Sequence, residues 1–97
     1  MTFEFHPEAR IEFIDAVAYY ENSSEGIGLR FSREVYATVN RVIANPTSWP
    51  GITENTRRCL ARRFPYSVVY EVREQDVLII AVAHHSRKPG YWKERLR

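Results

Sequence analysis

Two apolar segments joined by a short polar turn constrain the fold of this chain more than any other feature of its sequence. Residues 66–73 alternate in polarity, residues 77–83 are apolar throughout, and Glu74-Gln75-Asp76 connects them. Alternation is typical of a strand with one solvated face, and a continuous apolar run is typical of a central strand. The sequence therefore predicts strands near 66–73 and 76–83, and a third near 57–63.

Within the middle strand, the alternation separates two faces. Val68, Tyr70 and Val72 fall on one side, whereas Val69 and Glu71 fall on the other. Successive side chains of a strand point to opposite faces of a sheet. We expect the first face to pack on helices and the second to be partly solvated.

The first half of the chain predicts a short strand and two helices. Phe3-Glu4-Phe5 alternates like a strand, and His6-Pro7-Glu8 indicates the start of a helix of about 15 residues. Ser24 is the predicted cap of the second helix, and Asn45-Pro46 its stop signal. The apolar repeats are Ala9, Phe13, Val17 and Tyr20 with Ile14 beside them in the first helix, and Ile27, Phe31, Val35, Val39 and Val42 in the second.

These elements indicate a single α+β domain spanning residues 1–97. An N-terminal strand and an antiparallel helical hairpin pack on a small antiparallel sheet, with the first strand as an added edge. Cys59 is alone, which excludes an internal disulfide framework and a cysteine zinc cluster and makes a small buried side chain its expected role. No segment has the length of a membrane span, and together with the lone cysteine this favours a reduced, cytoplasmic compartment. Glu12, Asp15 and Glu21 form no convincing carboxylate pair or metal site, so we expect no metal and no cofactor.

Charge is distributed unevenly along the chain. Residues 1–50 carry four arginines and seven acidic residues, a net charge of −3, whereas residues 51–97 carry ten basic and five acidic residues, a net charge of +5. A basic half can create a local positive field that attracts nucleic acid or an acidic protein segment.

Histidine, arginine and aromatic residues are concentrated around the predicted hairpin. Histidine can act as acid or base, arginine can hold phosphate and aromatic rings can stack on bases, so metal-free RNA cleavage is one candidate chemistry. The candidate catalytic residues are His84, His85, Arg87 and Tyr91. The corner could instead bind a macromolecule, and the candidate target-binding residues are Arg57, Arg58, Arg62, Arg63, Arg87, Lys88 and Trp92.

Each of these residues also has a structural interpretation. Paired arginines on a strand most often form a solvated face. His84 and His85 alternate across a strand, so one of them points toward the core as a hydrogen-bonded structural histidine. Tyr91 and Trp92 are expected to pack over a sheet edge.

Two segments resemble the ParE/RelE superfamily of toxins. They are residues 62–71, RRFPYSVVYE, and residues 80–87, IAVAHHSR. The order of one strand, two helices and three strands is also similar, so the resemblance covers nearly the whole chain and implies the ParE/RelE-like toxin fold. Such proteins are the toxins of type II toxin–antitoxin, or plasmid stabilization, modules. The resemblance thus implies growth arrest and neutralisation by a cognate antitoxin.

The resemblance implies two alternative targets. RelE-like toxins cleave messenger RNA on the ribosome, whereas ParE-like toxins act on DNA gyrase. RelE-like nucleases usually carry an arginine at the start of the middle strand, where this chain has Ser67, and a hydroxyl cannot replace a guanidinium clamp. Val82-Ala83-His84 is similar to the strand end of the ParE branch. This favours ParE-like gyrase inhibition, with a RelE-like endoribonuclease and an inactive protein-binding member as alternatives.

The resemblance also implies a toxin–antitoxin hetero-oligomer. We expect the C-terminal segment of the antitoxin to lay a helix beside the helical hairpin and to pair a strand with an exposed sheet edge. Arg57→Ala or Arg58→Ala is expected to weaken attachment more than folding, because exposed arginines contribute little to stability.

Overall fold

The structure, a computed structural model, describes residues 1–96 of the 97-residue chain. The order of strands and helices is the one that the sequence predicts. The elements are β1 (Thr2–Phe5), α1 (Pro7–Ser23), α2 (Ile27–Ala44), β2 (Thr56–Leu60), β3 (Tyr66–Val72), β4 (Asp76–His84) and a short 3-10 helix (Lys93–Leu96).

The four strands form one sheet in the order β1-β4-β3-β2. β2, β3 and β4 are antiparallel, as predicted. β1 lies parallel to β4, with Phe3 opposite Val77 and Phe5 opposite Ile79, so the sheet is mixed rather than purely antiparallel. The continuous apolar run of β4 is explained by its position between β1 and β3, and its prediction as a central strand is confirmed.

The start of α1 follows the sequence prediction. Pro7 occupies the first helical turn, and the ring nitrogen Nδ1 of His6 accepts a hydrogen bond from the backbone N–H of Glu8 at 3.1 Å. Proline is favoured there because the first helical N–H groups have no partner within the helix.

The start of α2 differs from the prediction. Ser24 ends α1 by donating its N–H to Tyr20, and the cap of α2 is Gly26, with φ of 88°. The acceptor for the N–H groups is instead the Glu21 carboxylate, 3.0 Å from the nitrogens of both Gly26 and Gly28. A serine cap is unnecessary because a side chain of α1 already satisfies these donors.

The main core lies between the helices and one face of the sheet. Phe13, Phe31 and Tyr70 meet there, and Val68 and Val72 lie on the same side, as the alternation of β3 predicts. Cys59 is buried, which confirms its predicted role. Ile14 is 50% exposed, so its expected place beside the core is wrong. The buried face of α1 is formed by Ala9, Phe13 and Ala16.

The C-terminal segment covers part of the opposite face of the sheet. Trp92 is only 4% exposed and packs with Val69, Ile80 and Ala81 in a second hydrophobic cluster. The expectation of a partly solvated face therefore holds only outside this cluster, because the chain after β4 folds back over it.

The third predicted strand is shorter than expected. β2 ends at Leu60, and Arg62 and Arg63 lie in the connection to β3. Arg63 adopts a φ of 69°, in the left-handed region, and the backbone N–H of Arg62 donates to the carboxylate of Glu34 on α2. This turn, fixed from outside the sheet, prevents β2 from continuing to residue 63.

Candidate functional site

A cleft of about 440 Å³ opens on the face of the sheet away from the helices. It is bounded by β2, β3, the end of β4 and the segment that follows. Its floor is largely apolar, and apart from the phenol of Tyr91 its ionisable lining residues are basic or imidazole groups. These groups are Arg58, His84, His85, Arg87 and Lys88, and the apolar lining residues are Ile52, Leu60, Val69, Ala83, Pro89 and Trp92. We call this the basic cleft.

Arg87 is held at the rim of the basic cleft by an aromatic ring. The central carbon of its guanidinium lies 3.9 Å from the centroid of the Tyr91 ring, a cation–π contact. Its Nη1 is 4.0 Å from the Glu12 carboxylate, too far for a hydrogen bond. The side chain is 54% exposed. Within residues 1–96, Arg87 donates no side-chain hydrogen bond, so its donors are available to a ligand.

Glu12 on α1 connects this corner to the body of the protein. Its Oε2 accepts hydrogen bonds from the Tyr91 hydroxyl at 2.5 Å and from Nη2 of Arg95 at 2.9 Å. Its Oε1 accepts from Nη1 of Arg95 at 2.9 Å and from the backbone N–H of Val82 at 3.1 Å. One carboxylate therefore fixes the tyrosine on which Arg87 rests.

Arg95 completes the attachment of the C-terminal segment by binding the part of the β4 edge that has no neighbouring strand. β1 ends opposite Ile79, and a bulge leaves Ile80 without an opposite residue in β3. Nη1 of Arg95 donates to the Ile80 carbonyl at 3.0 Å. Together with the bond from Val82 to Glu12, this contact satisfies backbone groups that β1 does not reach.

These contacts alter two pKa values. Burial, followed by the hydrogen bond to Glu12, raises the pKa of Tyr91 above its ordinary range. The hydrogen bonds to Glu12 raise the pKa of Arg95. Tyr91 thus carries a neutral hydroxyl that already donates its proton to a hydrogen bond with Glu12. This favours a structural role for Tyr91 over a role as proton donor.

Both histidines are hydrogen-bonded. Nδ1 of His84 accepts from the backbone N–H of Ser86 at 2.9 Å, and its ring meets Tyr66 edge-on with centroids 5.0 Å apart. Nε2 of the exposed His85 is 3.0 Å from Oγ of Ser67. Ser67, at the position where the sequence resemblance implies an arginine in RelE-like nucleases, is 4% exposed and lies within hydrogen-bond distance of His85.

The predicted target-binding residues fall into three groups. Arg58, Arg87 and Lys88 line the basic cleft. Arg62 and Arg63 are exposed in the connection after β2 and are not among its lining residues.

The remaining two have evident structural contacts. Arg57 is half-buried, and its Nη1 donates to the Trp49 carbonyl at 2.8 Å, which attaches the loop before β2. Trp92 forms part of the cleft floor, but its burial leaves it little surface to offer a target.

The sequence interpretation missed Glu12 and Arg95. Glu12 was weighed, with Asp15 and Glu21, only as part of a carboxylate pair or metal site and was rejected as both, so no role was predicted for it. It lies 83 residues from Arg95, and no local spacing links the two. Within residues 1–96, no group of three histidine, cysteine or acidic residues could hold a metal ion. No helix in the same range is long and apolar enough to cross a membrane.

This arrangement is better suited to binding than to acid–base chemistry. The cations of the basic cleft are positioned for an anionic ligand, whereas both histidines and the Tyr91 hydroxyl are engaged in internal hydrogen bonds. An apolar floor beneath guanidinium and ammonium groups can contact a ligand that has both acidic and apolar parts.

Comparison with known proteins agrees with the fold. The sequence family described as "ParE toxin of type II toxin-antitoxin system, parDE" matches residues 3–89. A chain from the "Chromosomal ParDE TA system from P. aeruginosa" is similar in structure, with a TM-score of 0.73 and 16% sequence identity over 87% of this chain and 95% of that chain. No curated protein shows a significant match. Because the family match spans most of the sequence, the chain belongs to the ParE toxin family of type II toxin–antitoxin systems.

Proposed function

We propose that this toxin arrests growth by binding and inhibiting DNA gyrase through the basic cleft and its rim. The observation that carries the proposal is the state of Ser67, which is buried and hydrogen-bonded to His85 where a RelE-like nuclease would present a guanidinium clamp. The cleft therefore offers cations for attachment without the arrangement that phosphate cleavage favours. Inhibition of gyrase places its action in the cytoplasm.

A RelE-like ribonuclease is the second candidate. It is favoured by one observation, which is that His84, His85 and Arg87 line the same cleft. An imidazole beside a guanidinium could move a proton and hold a phosphate. The engagement of both rings in hydrogen bonds weighs against this candidate.

Inducible expression separates these functions. We expect growth arrest that coexpression of the cognate antitoxin relieves, together with loss of gyrase supercoiling activity and intact messenger RNA. Cleaved messenger RNA with normal supercoiling would support the ribonuclease and contradict gyrase inhibition. Unimpaired growth under confirmed expression of folded protein would indicate an inactive binding module.

The antitoxin is the cognate partner, and we propose its contact surface. Ile11, Ile14 and Tyr19 of α1 are 55%, 50% and 65% exposed. An exposed apolar helix face is a suitable surface for an amphipathic helix of the antitoxin. A second, extended part of the antitoxin would pair with β1 or β2, the outer strands of the sheet.

Deletion of the C-terminal half of the antitoxin tests this arrangement. We expect the truncated antitoxin to lose toxin binding while retaining its N-terminal fold. Ile14→Asp should weaken binding of the full antitoxin, whereas Leu29→Asp, at a similarly exposed position on α2, should have a smaller effect. Equal binding by intact and truncated antitoxin would contradict the proposed surface.

A further inference from the structure

We propose that the basic cleft binds an extended peptide segment in which a carboxylate side chain lies beside aliphatic side chains. The inference rests on the proposed function in treating the cleft as the contact surface, and it specifies the chemistry of what the cleft contacts. The carboxylate would pair with Arg87 and Arg58, and the aliphatic side chains would cover the cleft floor.

The charge of the basic cleft favours an anionic ligand. Two arginines and a lysine line the basic cleft, and no acidic residue in the described chain is among its lining residues. The carboxylate nearest to Arg87, that of Glu12, already accepts four hydrogen bonds from Tyr91, Val82 and Arg95. Glu12 therefore neutralises Arg95 more than it neutralises Arg87, and the rim keeps its attraction for an anion.

Arg87 is already held in place before an anionic ligand binds. Arginine side chains lose considerable rotamer freedom on binding, and a side chain that is already held loses less. Contact with the Tyr91 ring holds the guanidinium, and the hydroxyl bond to Glu12 holds the ring. Tyr91 and Glu12 are thus positioning residues for an anion anchor.

The floor of the cleft distinguishes a peptide from a nucleic acid. Leu60 and Ile52 are 55% and 39% exposed at the cleft, although they are large aliphatic residues. A phosphate backbone has no group that would cover them, whereas aliphatic side chains of a peptide would remove their surface from water.

Aromatic rings at the cleft also disfavour single-stranded nucleic acid. Recognition of unpaired bases depends on aromatic faces that are free to stack. Trp92 is buried, and the guanidinium groups of Arg87 and Arg95 lie 3.9 and 5.2 Å from the Tyr91 ring centroid. The rings of this corner are already used in packing and cation–π contacts.

Peptide binding to the full-length toxin tests the inference. The probe is a fluorescein-labelled peptide of alternating leucine and glutamate between glycine-serine ends, and its partner probe replaces each glutamate by glutamine. Fluorescence anisotropy should show at least about tenfold weaker binding of the glutamine peptide, since hydrogen bonds to charged groups contribute at this level. Equal affinity of the two peptides would overturn the inference.

Arginine variants test whether the peptide binds in the basic cleft. Arg87→Gln and Arg58→Gln should each weaken binding of the glutamate peptide about tenfold, whereas Arg33→Gln, at an exposed position of α2, should leave it unchanged. An equal effect of all three would indicate attraction by overall charge and would contradict a cleft site. Tight binding of a single-stranded oligonucleotide that displaces the peptide would assign the cleft to nucleic acid instead.

The peptide-binding measurement does not involve gyrase, so the proposed function and this inference can fail separately. Peptide binding without inhibition of supercoiling would overturn the proposed function and leave this inference intact. Inhibition of supercoiling without peptide binding would do the reverse.

Discussion

The carboxylate of Glu12 and the guanidinium of Arg95, 83 residues apart in the sequence, form a bidentate ion pair with both N–O distances at 2.9 Å. Their side chains are only 14% and 12% exposed. This pair attaches the C-terminal segment to α1 and, through Tyr91, fixes the rim of the basic cleft.

Glu12→Ala is expected to lower the free energy of unfolding by about 3 kcal/mol, because it leaves the Arg95 charge and the Val82 N–H without their shared acceptor. Chemical denaturation measures the loss. Glu8→Ala is the matched control, since its carboxylate is 64% exposed and 4.0 Å from Arg95, and its effect should stay below about 0.5 kcal/mol. Equal effects of the two changes would show that the ion pair is not a structural connection.

Three tyrosines are expected to ionise late. Burial raises the pKa of Tyr66 and of Tyr70 to about 12, and it raises that of Tyr91 as well. The hydroxyl of Tyr70 also donates to the Pro46 carbonyl at 2.6 Å.

A raised pKa in the folded state gives a stability contribution that is complete below the unfolded value near 10 and is lost as pH rises through the folded value. We therefore expect the free energy of unfolding, measured by chemical denaturation at each pH, to fall as pH rises from about 10 to about 12. Tyr70→Phe should make this fall smaller. A free energy of unfolding that stays constant over this range would contradict the expectation.

Sequence patterns predicted the parts of the fold that depend on local periodicity. The two faces of β3 and the central position of β4 follow from alternation and from a continuous apolar run, and the start of α1 follows from Pro7. The way in which α2 begins was missed because the first N–H groups of this helix donate to Glu21 on the preceding helix, a contact that no capping pattern describes.

The candidate site was predicted only in part. Arg58, Arg87 and Lys88 were found because charged residues cluster in the sequence around one hairpin. Composition could not separate them from Arg57, whose side chain meets a loop carbonyl, since strand alternation does not show where a loop folds over. Glu12 was missed as a structural centre because its partners are distant in sequence.

Gly28 is expected to be required for the close approach of the two helices. A Cβ at this position would lie 2.7 Å from the Val17 carbonyl oxygen and 2.8 Å from Cβ of Glu21. Gly28→Ala should lower the free energy of unfolding by about 1–2 kcal/mol, because overpacking outweighs the gain in helix propensity. Gly51→Ala, where the nearest atom would be 3.9 Å away, should change stability by less than about 0.5 kcal/mol in the same thermal or chemical unfolding experiment. A stabilised Gly28→Ala variant would show that the helices can separate without cost.

Trp92 is expected to act in folding rather than in target contact. Trp92→Ala would uncover Val69, Ile80 and Ala81 and should cost about 3–5 kcal/mol, as for other buried tryptophans. Tyr19→Ala, at a 65% exposed aromatic residue, should cost less than about 0.5 kcal/mol. Denaturant unfolding measures both. A Trp92→Ala variant with unchanged stability and reduced gyrase inhibition would instead assign the ring to the target.

Arg57 and Arg58 are adjacent and are expected to behave differently when changed. Arg57→Ala removes the 2.8 Å hydrogen bond to the Trp49 carbonyl and should lower the free energy of unfolding by about 1 kcal/mol. Arg58→Ala removes an exposed cation of the basic cleft and should leave stability within about 0.5 kcal/mol while weakening gyrase inhibition. Paired measurements of unfolding and supercoiling inhibition distinguish the two roles. A different result would be that Arg58→Ala inhibits gyrase as well as the unchanged protein does, while Arg57→Ala loses inhibition at full stability. The target-binding residue would then be Arg57, and the contact surface would lie on the other side of β2 from the basic cleft.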